Sequence, residues 1–336
     1  MVNAETKTAK EFDIIQQHFS NINFDSSGST EIGIGDDAAV LSLSQLQQDS
    51  SKLLVSADML CEGTHFLSTT DPSTLGYKSL AVNISDILAM GGDPKLFTLC
   101  ISLPEPNNLW LEAFAHGLTQ AAKQYGLSLI GGDTTRGPLS ISIQIFGTTD
   151  KPILRSGAQV GDLVVVTGTL GDAAGGLDFI LDPALAANFA DDFQIHVQYL
   201  QDRHECPTPR AGLTQGFDIH AAIDISDGLI PDLTHICNAS GVAAELNVDV
   251  LPISGSLLGA NDHAVAKALV GGEDYELCLA IPPSIWPELQ ARAKELGILI
   301  THVGDIIQST DRTVTVRGWS EQKLDGVINQ GFVHFK

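Results

Sequence analysis

Basic residues are scarce in this 336-residue chain: 18 Lys and Arg stand against 41 Asp and Glu, a formal charge of −23. A surface this acidic repels nucleic acid and anionic membrane, so neither is an expected partner. It repels polyphosphate as well, so a protein of this charge that handled ATP would need bound divalent cations. Taken alone, the acidity serves solubility equally well. Cysteine pairs are also missing. Cys61, Cys100, Cys206, Cys237 and Cys278 are scattered, with no Cys-x-x-Cys and no zinc-like Cys/His spacing, and they read as buried free thiols in a reducing compartment. No uninterrupted apolar run is long enough to span a bilayer, and the opening MVNAETKTAKEF has no apolar signal core; a cytoplasmic location is the expectation. There is no Gly-x-x-x-x-Gly-Lys-Ser/Thr loop, no EF-hand loop and no repeat of solenoid length, which removes the P-loop, the EF-hand and the solenoid from consideration.

What is present is apolar residue for sizeable cores (43 %) and abundant glycine (32 residues), much of it beside aspartate. The length predicts two α/β domains. In the first half, a short amphipathic helix is predicted over Glu11–Phe19, and strands over Ala38–Leu43 and Leu53–Ser56. Asp71-Pro72 starts a helix that stops at Gly91-Gly92. A strand follows over Leu96–Leu103, a helix over Leu109–Tyr125, and strands over Leu127–Ile130 and Ile141–Phe146. The segment KPILRSGAQ lacks periodicity, so the division is drawn as 1–150 and 151–336. A second series then runs through a strand at Leu163–Thr167, a helix at Asp172–Leu181, a strand at Ala222–Ile225 and a helix over Gly228–Ala239. It closes with a strand at Tyr275–Ile281, a helix at Ser284–Leu296 and a strand at Thr313–Arg317; residues 182–220 read as helical or irregular.

The informative feature is a series of aspartates in glycine-rich or element-terminal settings. They are Gly33-Ile-Gly-Asp-Asp37, Ser56-Ala-Asp58, Asn83-Ile-Ser-Asp86, Gly131-Gly-Asp133-Thr-Thr-Arg136 and Asp224-Ile-Ser-Asp227-Gly228. Singly, each fits a turn or a helix cap. Together, aspartates at strand ends can converge, and converging carboxylates need metal to relieve their repulsion. Magnesium takes hard oxygen ligands, one or two carboxylates per ion.

The ordered strings EIGIGDDAAVL, SAD, GTHF, YKSLAVNISDILAMGGDP, LIGGDTTRGPLSI, DISDGL and GGEDYEL resemble the thiamine-monophosphate kinase family across nearly the whole chain. That family is part of the superfamily of aminoimidazole ribonucleotide synthetase and selenophosphate synthetase. The resemblance implies an α/β fold of two domains. The N-terminal one would be a mixed sheet with helices that pairs with its twin in a homodimer, binding ATP and magnesium. The C-terminal one would be an α/β domain completing the nucleotide and thiamine phosphate site. It implies that Asp37, Asp58, Asp86, Asp133 and Asp224 hold a magnesium cluster on the ATP phosphates, with Asp227 on a further ion and Ser56 as an added oxygen ligand. At Ala57 relatives often carry Thr: either the main-chain carbonyl serves there, or the first metal site lacks a hydroxyl. Gly132, Asp133, Arg155 and Ser226 would meet ATP, and His65, Glu273 and Phe332 the thiamine phosphate. Without the resemblance, His65 reads as a core or surface histidine, Phe332 as packing, Arg155 as a solvated charge and Glu273 as half of an ion pair.

The implied reaction is ATP-dependent phosphorylation of thiamine phosphate to thiamine diphosphate. Its acceptor is already a phosphate with a second pKa of about 6, so no general base is required. The barrier is repulsion between polyanions, and direct in-line transfer of the γ-phosphoryl group is expected, with several magnesium ions as cofactor. A selenophosphate synthetase would carry a reactive Cys or selenocysteine near its N-terminus, whereas the first Cys here is Cys61. A non-catalytic acidic cation binder would not consume ATP in response to thiamine phosphate.

Overall fold

A computed structural model of the chain describes residues 14–24, 26–34, 39–47, 52–308, 311 and 313–318. Asp37 and Phe332 lie outside the described residues, as do parts of the helix predicted at Glu11–Phe19 and the strand predicted at Ala38–Leu43. The chain forms two compact units: one runs through Ile87 and resumes over Gly92–Asp150, and the other holds Leu88–Gly91 and the chain from Lys151 on.

The first unit begins with a π-helical turn, Ile15–Phe19, and a small antiparallel pair, β1 (Thr30–Ile32) with β2 (Val40–Leu41), followed by the short helix α1 (Leu43–Gln47). Then come β3 (Lys52–Cys61), α2 (Pro72–Ala89), β4 (Asp93–Leu103), α3 (Asn108–Tyr125), β5 (Ser128–Arg136) and β6 (Ser140–Thr149). The four long strands make a mixed sheet in the order β3-β6-β4-β5, with β4 and β5 parallel and the other pairs antiparallel. Helix α2 starts because the Asp71 carboxylate accepts the N–H groups of Ser73 and Thr74 at 2.8 and 3.2 Å, ahead of Pro72. Asn107 caps α3 in the same way, and Gly126, at φ 73°, ends it. Along β3 the sheet alternates. Leu54 and Leu60 are buried, while Leu53, Val55 and Met59 on the other face are 51–58 % exposed.

Helices α2 and α3 pack backbone to backbone through glycine. A Cβ on Gly117 would lie 1.7 Å from the Ser73 carbonyl oxygen, and one on Gly76 would lie 2.1 Å from that of Phe114. Gly117→Ala therefore has to push the helices apart and is expected to cost about 1–3 kcal/mol or more by overpacking. The check is a denaturant midpoint that falls with an unchanged slope; an unshifted midpoint would contradict this close packing.

The second unit holds a six-stranded sheet in the order β12-β9-β11-β7-β10-β8. Its elements are β7 (Leu163–Thr167), α4 (Asp172–Leu181), α5 (Gln194–Glu205), β8 (Ala221–Ile225), α6 (Leu229–Ser240) and β9 (Ala243–Asn247). After them come α7 (Gly255–Ala260), α8 (Ala264–Val270), β10 (Glu276–Ile281), α9 (Trp286–Leu296), β11 (Ile300–Ile307) and β12 (Val314–Arg317). One sheet face packs Ile223, Ile225 and Cys278 against Leu229, Leu233 and Ile236 of α6 and Leu269 of α8. The other packs Ala222, Leu277 and Leu279 against Leu289 and Ala293 of α9. A third cluster joins α4, α5 and α7 through Phe179, Leu200 and Leu257. No helix among the described residues is long and apolar enough to cross a membrane.

The structure corrects several sequence expectations. Leu53–Ser56 lengthens to Lys52–Cys61, so Asp58 stands inside a strand instead of at its end. The Gly131-Gly132-Asp133 stretch is strand, not turn, and belongs to β5. Leu43 opens a helix instead of closing a strand. Strands β9 and β11 had no counterpart in the sequence reading, and α5 is the helical part of 182–220. Cys237 and Cys278 are buried as expected, but Cys61 and Cys206 are half-buried and Cys100, on the uncovered face of β4, is exposed.

Candidate active site

In the first unit, Ser56 and Asp58 fall on one face of β3 because strand side chains alternate, and that face meets α2. Asn83 and Asp86, three residues apart on α2, share a helical face. The Ser56 hydroxyl donates to Asp86 Oδ2 at 2.5 Å, and the Asp58 N–H donates to Asn83 Oδ1 at 3.1 Å. Asn83 is itself oriented by donating Nδ2–H to the Ser79 carbonyl at 3.0 Å. Two carboxylates and a hydroxyl thus line one strand–helix seam, all half-buried. Ala57 lies between them on the opposite, uncovered face, where it is exposed. Just beyond β3, His65 Nδ1 accepts the Cys61 N–H at 3.1 Å, which fixes the ring proton on Nε2.

Gly132 and Asp133 sit on β5, both exposed. A Cβ at Gly132 would lie 1.8 Å from the Leu99 carbonyl oxygen, so only glycine lets β5 approach β4 there. Asp133 pairs in register with Cys100 of β4. Since β3 and β5 are the two edges of the sheet, Asp58 and Asp133 are separated by three strand spacings, roughly 14 Å.

In the second unit, Asp224 is 5 % exposed near the end of β8, on the sheet face that carries Ala222. The chain then turns through Ser226, half-buried, and Asp227, exposed. The N–H groups of Ser226, Asp227 and Gly228 all donate to one oxygen, Oδ2 of Asp232 in the first turn of α6, at 3.0, 3.0 and 3.1 Å. The Ser226 carbonyl accepts the Glu273 N–H, and the Ile225 carbonyl the Tyr275 N–H, both at 2.8 Å. Among the described residues, Glu273 and Tyr275 are the non-glycine residues with positive φ, at 74° and 49°, the kind of strain that concentrates at functional sites. Between them, Asp274 is fully buried and accepts the N–H groups of Gly171 and Ala173 at 2.5 and 3.1 Å, holding the start of α4. Burial pushes the carboxyls of Asp232 and Asp274 up to about 7, against the pull of the N–H groups they accept. Arg155 is exposed, its carbonyl held by the Ser240 hydroxyl at 2.8 Å.

Two sets of predicted residues are therefore brought together. Ser56, Asp58 and Asp86 form one, and Ser226, Asp227 and Glu273, on two joined loops, form the other. Among the described residues no three His, Cys, Asp or Glu side chains gather as a metal-holding group, so the expected convergence of the aspartates is not found there. In the first unit the reason is topological, because Asp58 and Asp133 occupy opposite edges of one sheet. Sequence reasoning missed Asp232 and Asp274. Their side chains act on backbone N–H groups; Asp274 lies within the GGEDYEL string and Asp232 just beyond DISDGL.

Comparison with known proteins follows the same two-part division. The family model described as AIR synthase related protein, N-terminal domain, matches residues 35–149, and its C-terminal counterpart matches residues 159–317. A thiamine-monophosphate kinase from Haemophilus influenzae is 42 % identical, over 97 % of this chain and 98 % of that one. The crystal structure of a thiamine-monophosphate kinase from Stenotrophomonas maltophilia superposes with a TM-score of 0.79 at 42 % identity, covering 87 % of this chain and 92 % of that one. A structure of AaThiL complexed with AMPPCP and TMP gives a TM-score of 0.72 at 33 % identity, covering 85 % and 89 %.

Proposed function

Because the chain belongs to the thiamine-monophosphate kinases, within the AIR synthase related proteins, we propose that its site transfers the γ-phosphoryl group of ATP directly to thiamine monophosphate, giving ADP and thiamine diphosphate. The observation that carries this reading is the strap between two loops: the carbonyl of Ser226 accepts the N–H of Glu273. One loop bears the residues assigned to nucleotide and metal, Ser226 and Asp227. The other bears Glu273, assigned to the acceptor. In-line transfer requires donor and acceptor to be held at fixed separation, and adjoining rigid loops supply that.

The donor set suits magnesium. Asp58 and Asp86 with the Ser56 hydroxyl are hard oxygen groups on one seam, and magnesium is ordinarily held by one or two carboxylates together with substrate phosphates. Asp37, Asp133, Asp224, Asp227 and the Ala57 carbonyl complete the assigned ligands. Magnesium bound there would neutralise the phosphate charge that this chain's scarcity of Lys and Arg leaves uncompensated. Gly132 and Arg155 are assigned to ATP, and His65 and Phe332 to the thiamine phosphate. His65 is oriented for such a role, since its Nε2 carries the proton a phosphate oxygen would accept. None of these residues is needed as a general base.

We assign nucleotide, metal and pairing functions to residues 1–150, and completion of the nucleotide and acceptor site to residues 151–336. The pairing is of two identical copies. Its support is the exposed apolar face of β3, with Leu53, Val55 and Met59, and the placement of Asp58 and Asp133 on opposite edges of one sheet. The acidic charge argues against nucleic acid or membrane as partners and accords with a cytoplasmic enzyme.

The test is ADP release with thiamine phosphate, thiamine and an aminoimidazole precursor offered in parallel. Release is expected with thiamine phosphate alone, is abolished by chelator, and returns with a more than first-order dependence on added magnesium. Equal turnover of the aminoimidazole compound, or full activity in excess chelator, would overturn the reading.

A further inference from the structure

We propose that Asp232 is a positioning residue for phosphoryl transfer, which sets the conformation of both loops through backbone contacts alone. The inference rests on the assignment of Ser226 and Asp227 to nucleotide and metal. Three successive N–H groups, those of residues 226–228, converge on the single oxygen Oδ2 of Asp232. Successive N–H groups curled in this way form a nest that ordinarily takes an anion. Here the protein's own carboxylate fills it, and Asp232 is 2 % exposed. A substrate phosphate is thereby excluded from the nest. Phosphate recognition is left to the Ser226 hydroxyl and to metal that the solvent-exposed Asp227 would hold.

The nest also shapes the second loop. With N–H groups 226–228 committed to Asp232, the carbonyls of Ile225 and Ser226 accept from Tyr275 and Glu273, the two non-glycine residues at positive φ among the described ones. The fit leaves no slack. A Cβ on Gly272 would lie 2.5 Å from the Ser226 carbonyl oxygen, and one on Gly228 would lie 2.7 Å from the backbone of Val270. Asp232 thus stands one hydrogen bond from the Ser226–Asp227 loop and two from Glu273, and its carboxylate approaches the substrates only through them.

The test compares Asp232→Asn, which keeps the shape and one acceptor oxygen but removes the charge that the three N–H groups share, with two reference variants. Asp162→Asn is the stability control. Asp162 is 3 % exposed, accepts the Gln159 N–H at 2.7 Å and pairs with His220 at 2.9 Å, so its loss removes a comparable buried carboxylate elsewhere. Asp227→Asn reports on the assigned metal role. The readouts are the rise in melting temperature caused by magnesium with AMPPCP, the magnesium concentration for half-maximal activity, and KM for thiamine phosphate. For Asp232→Asn the ligand-induced rise is expected to shrink, and the half-maximal magnesium concentration and KM to increase about ten-fold or more, as the charge-assisted hydrogen bonds that shape the loop weaken. Asp162→Asn is expected to lower the melting temperature of the free protein while leaving all three readouts within about two-fold of wild type. If Asp232→Asn behaves like Asp162→Asn, the positioning role is wrong. If Asp227→Asn moves nothing while Asp232→Asn moves all three, the role stands, exerted through Ser226 and Glu273, and the metal assignment of Asp227 falls instead. Should Asp232→Asn not fold, Asp232→Ser, whose hydroxyl can still accept, replaces it. Failure of both to fold while Asp162→Asn folds would make Asp232 purely structural and overturn the proposal.

Discussion

Glu276→Gln is expected to lower the stability of the second unit by about 3–5 kcal/mol, the cost of stranding buried charges after one partner is removed. Glu276 has no solvent exposure and opens β10. Its carboxylate accepts the Thr167 hydroxyl at 2.6 Å, Arg203 Nη2 at 2.8 Å and Arg210 Nε at 2.6 Å, with a further contact from Arg210 Nη2. Two guanidiniums therefore converge on one carboxylate. Arg203 belongs to the last turn of α5 and Arg210 to the segment after it, so the network pins the helical part of the unit to its sheet. Glutamine keeps the volume but presents an amide N–H where an acceptor is required, and it carries no charge against the arginines. For a unit of this size each kcal/mol moves the melting temperature by about 2–4 °C, so a drop on the order of 10 °C is anticipated. Calorimetry gives the answer directly, and a shift under about 2 °C would mean that solvent already screens the arginines. Arg210→Met in the Glu276→Gln background should recover part of the loss, because it removes one of the uncompensated charges.

That network shows where sequence reading stops. Glu276 reaches Arg210 and Arg203 across 66 and 73 residues, and no local pattern announces such a meeting. The elements that were legible carry local signals: α2 has Asp71 and Pro72 at its start, and α3 ends on Gly126. The missed strands lack them. β9 reads AAELN, without the β-branched alternation that marks a strand. β11 is interrupted by Gly304, where its register against β7 shifts. Within the site, the strings that carry acidic side chains were readable, whereas the groups that hold those strings in shape were not. Asp232 looks like any first-turn aspartate until the loop is seen to curl over it. Asp58 and Asp133 were legible as acidic residues, but their positions on opposite sheet edges depend on strand order, which residue type does not encode.

Strand order leads to the last expectation. Asp133→Asn keeps shape and removes charge, and loss of one such electrostatic contact lowers turnover by ~10²–10³-fold. Asp58→Asn should do the same. With β3 and β5 at opposite edges of the four-stranded sheet, the two carboxylates of one copy stand roughly 14 Å apart. Two copies related by a two-fold axis, however, can set the β3 edge of one beside the β5 edge of its partner. Each active site would then take Asp58 from one copy and Asp133 from the other. Co-expression of the two single variants under separate tags tests this. Half of the dimers formed at random carry one variant of each kind, and in each of these one site is fully intact while the other bears both replacements. Activity should therefore recover to about a quarter of wild type, all of it in the doubly tagged fraction, as isologous pairing requires. A site built from one copy predicts the reverse, since every site then carries one replacement and the mixture stays as inactive as either parent. Magnesium-dependent ADP release from the doubly tagged fraction distinguishes the two cases, and its absence in a stable mixed dimer would rule out the shared site.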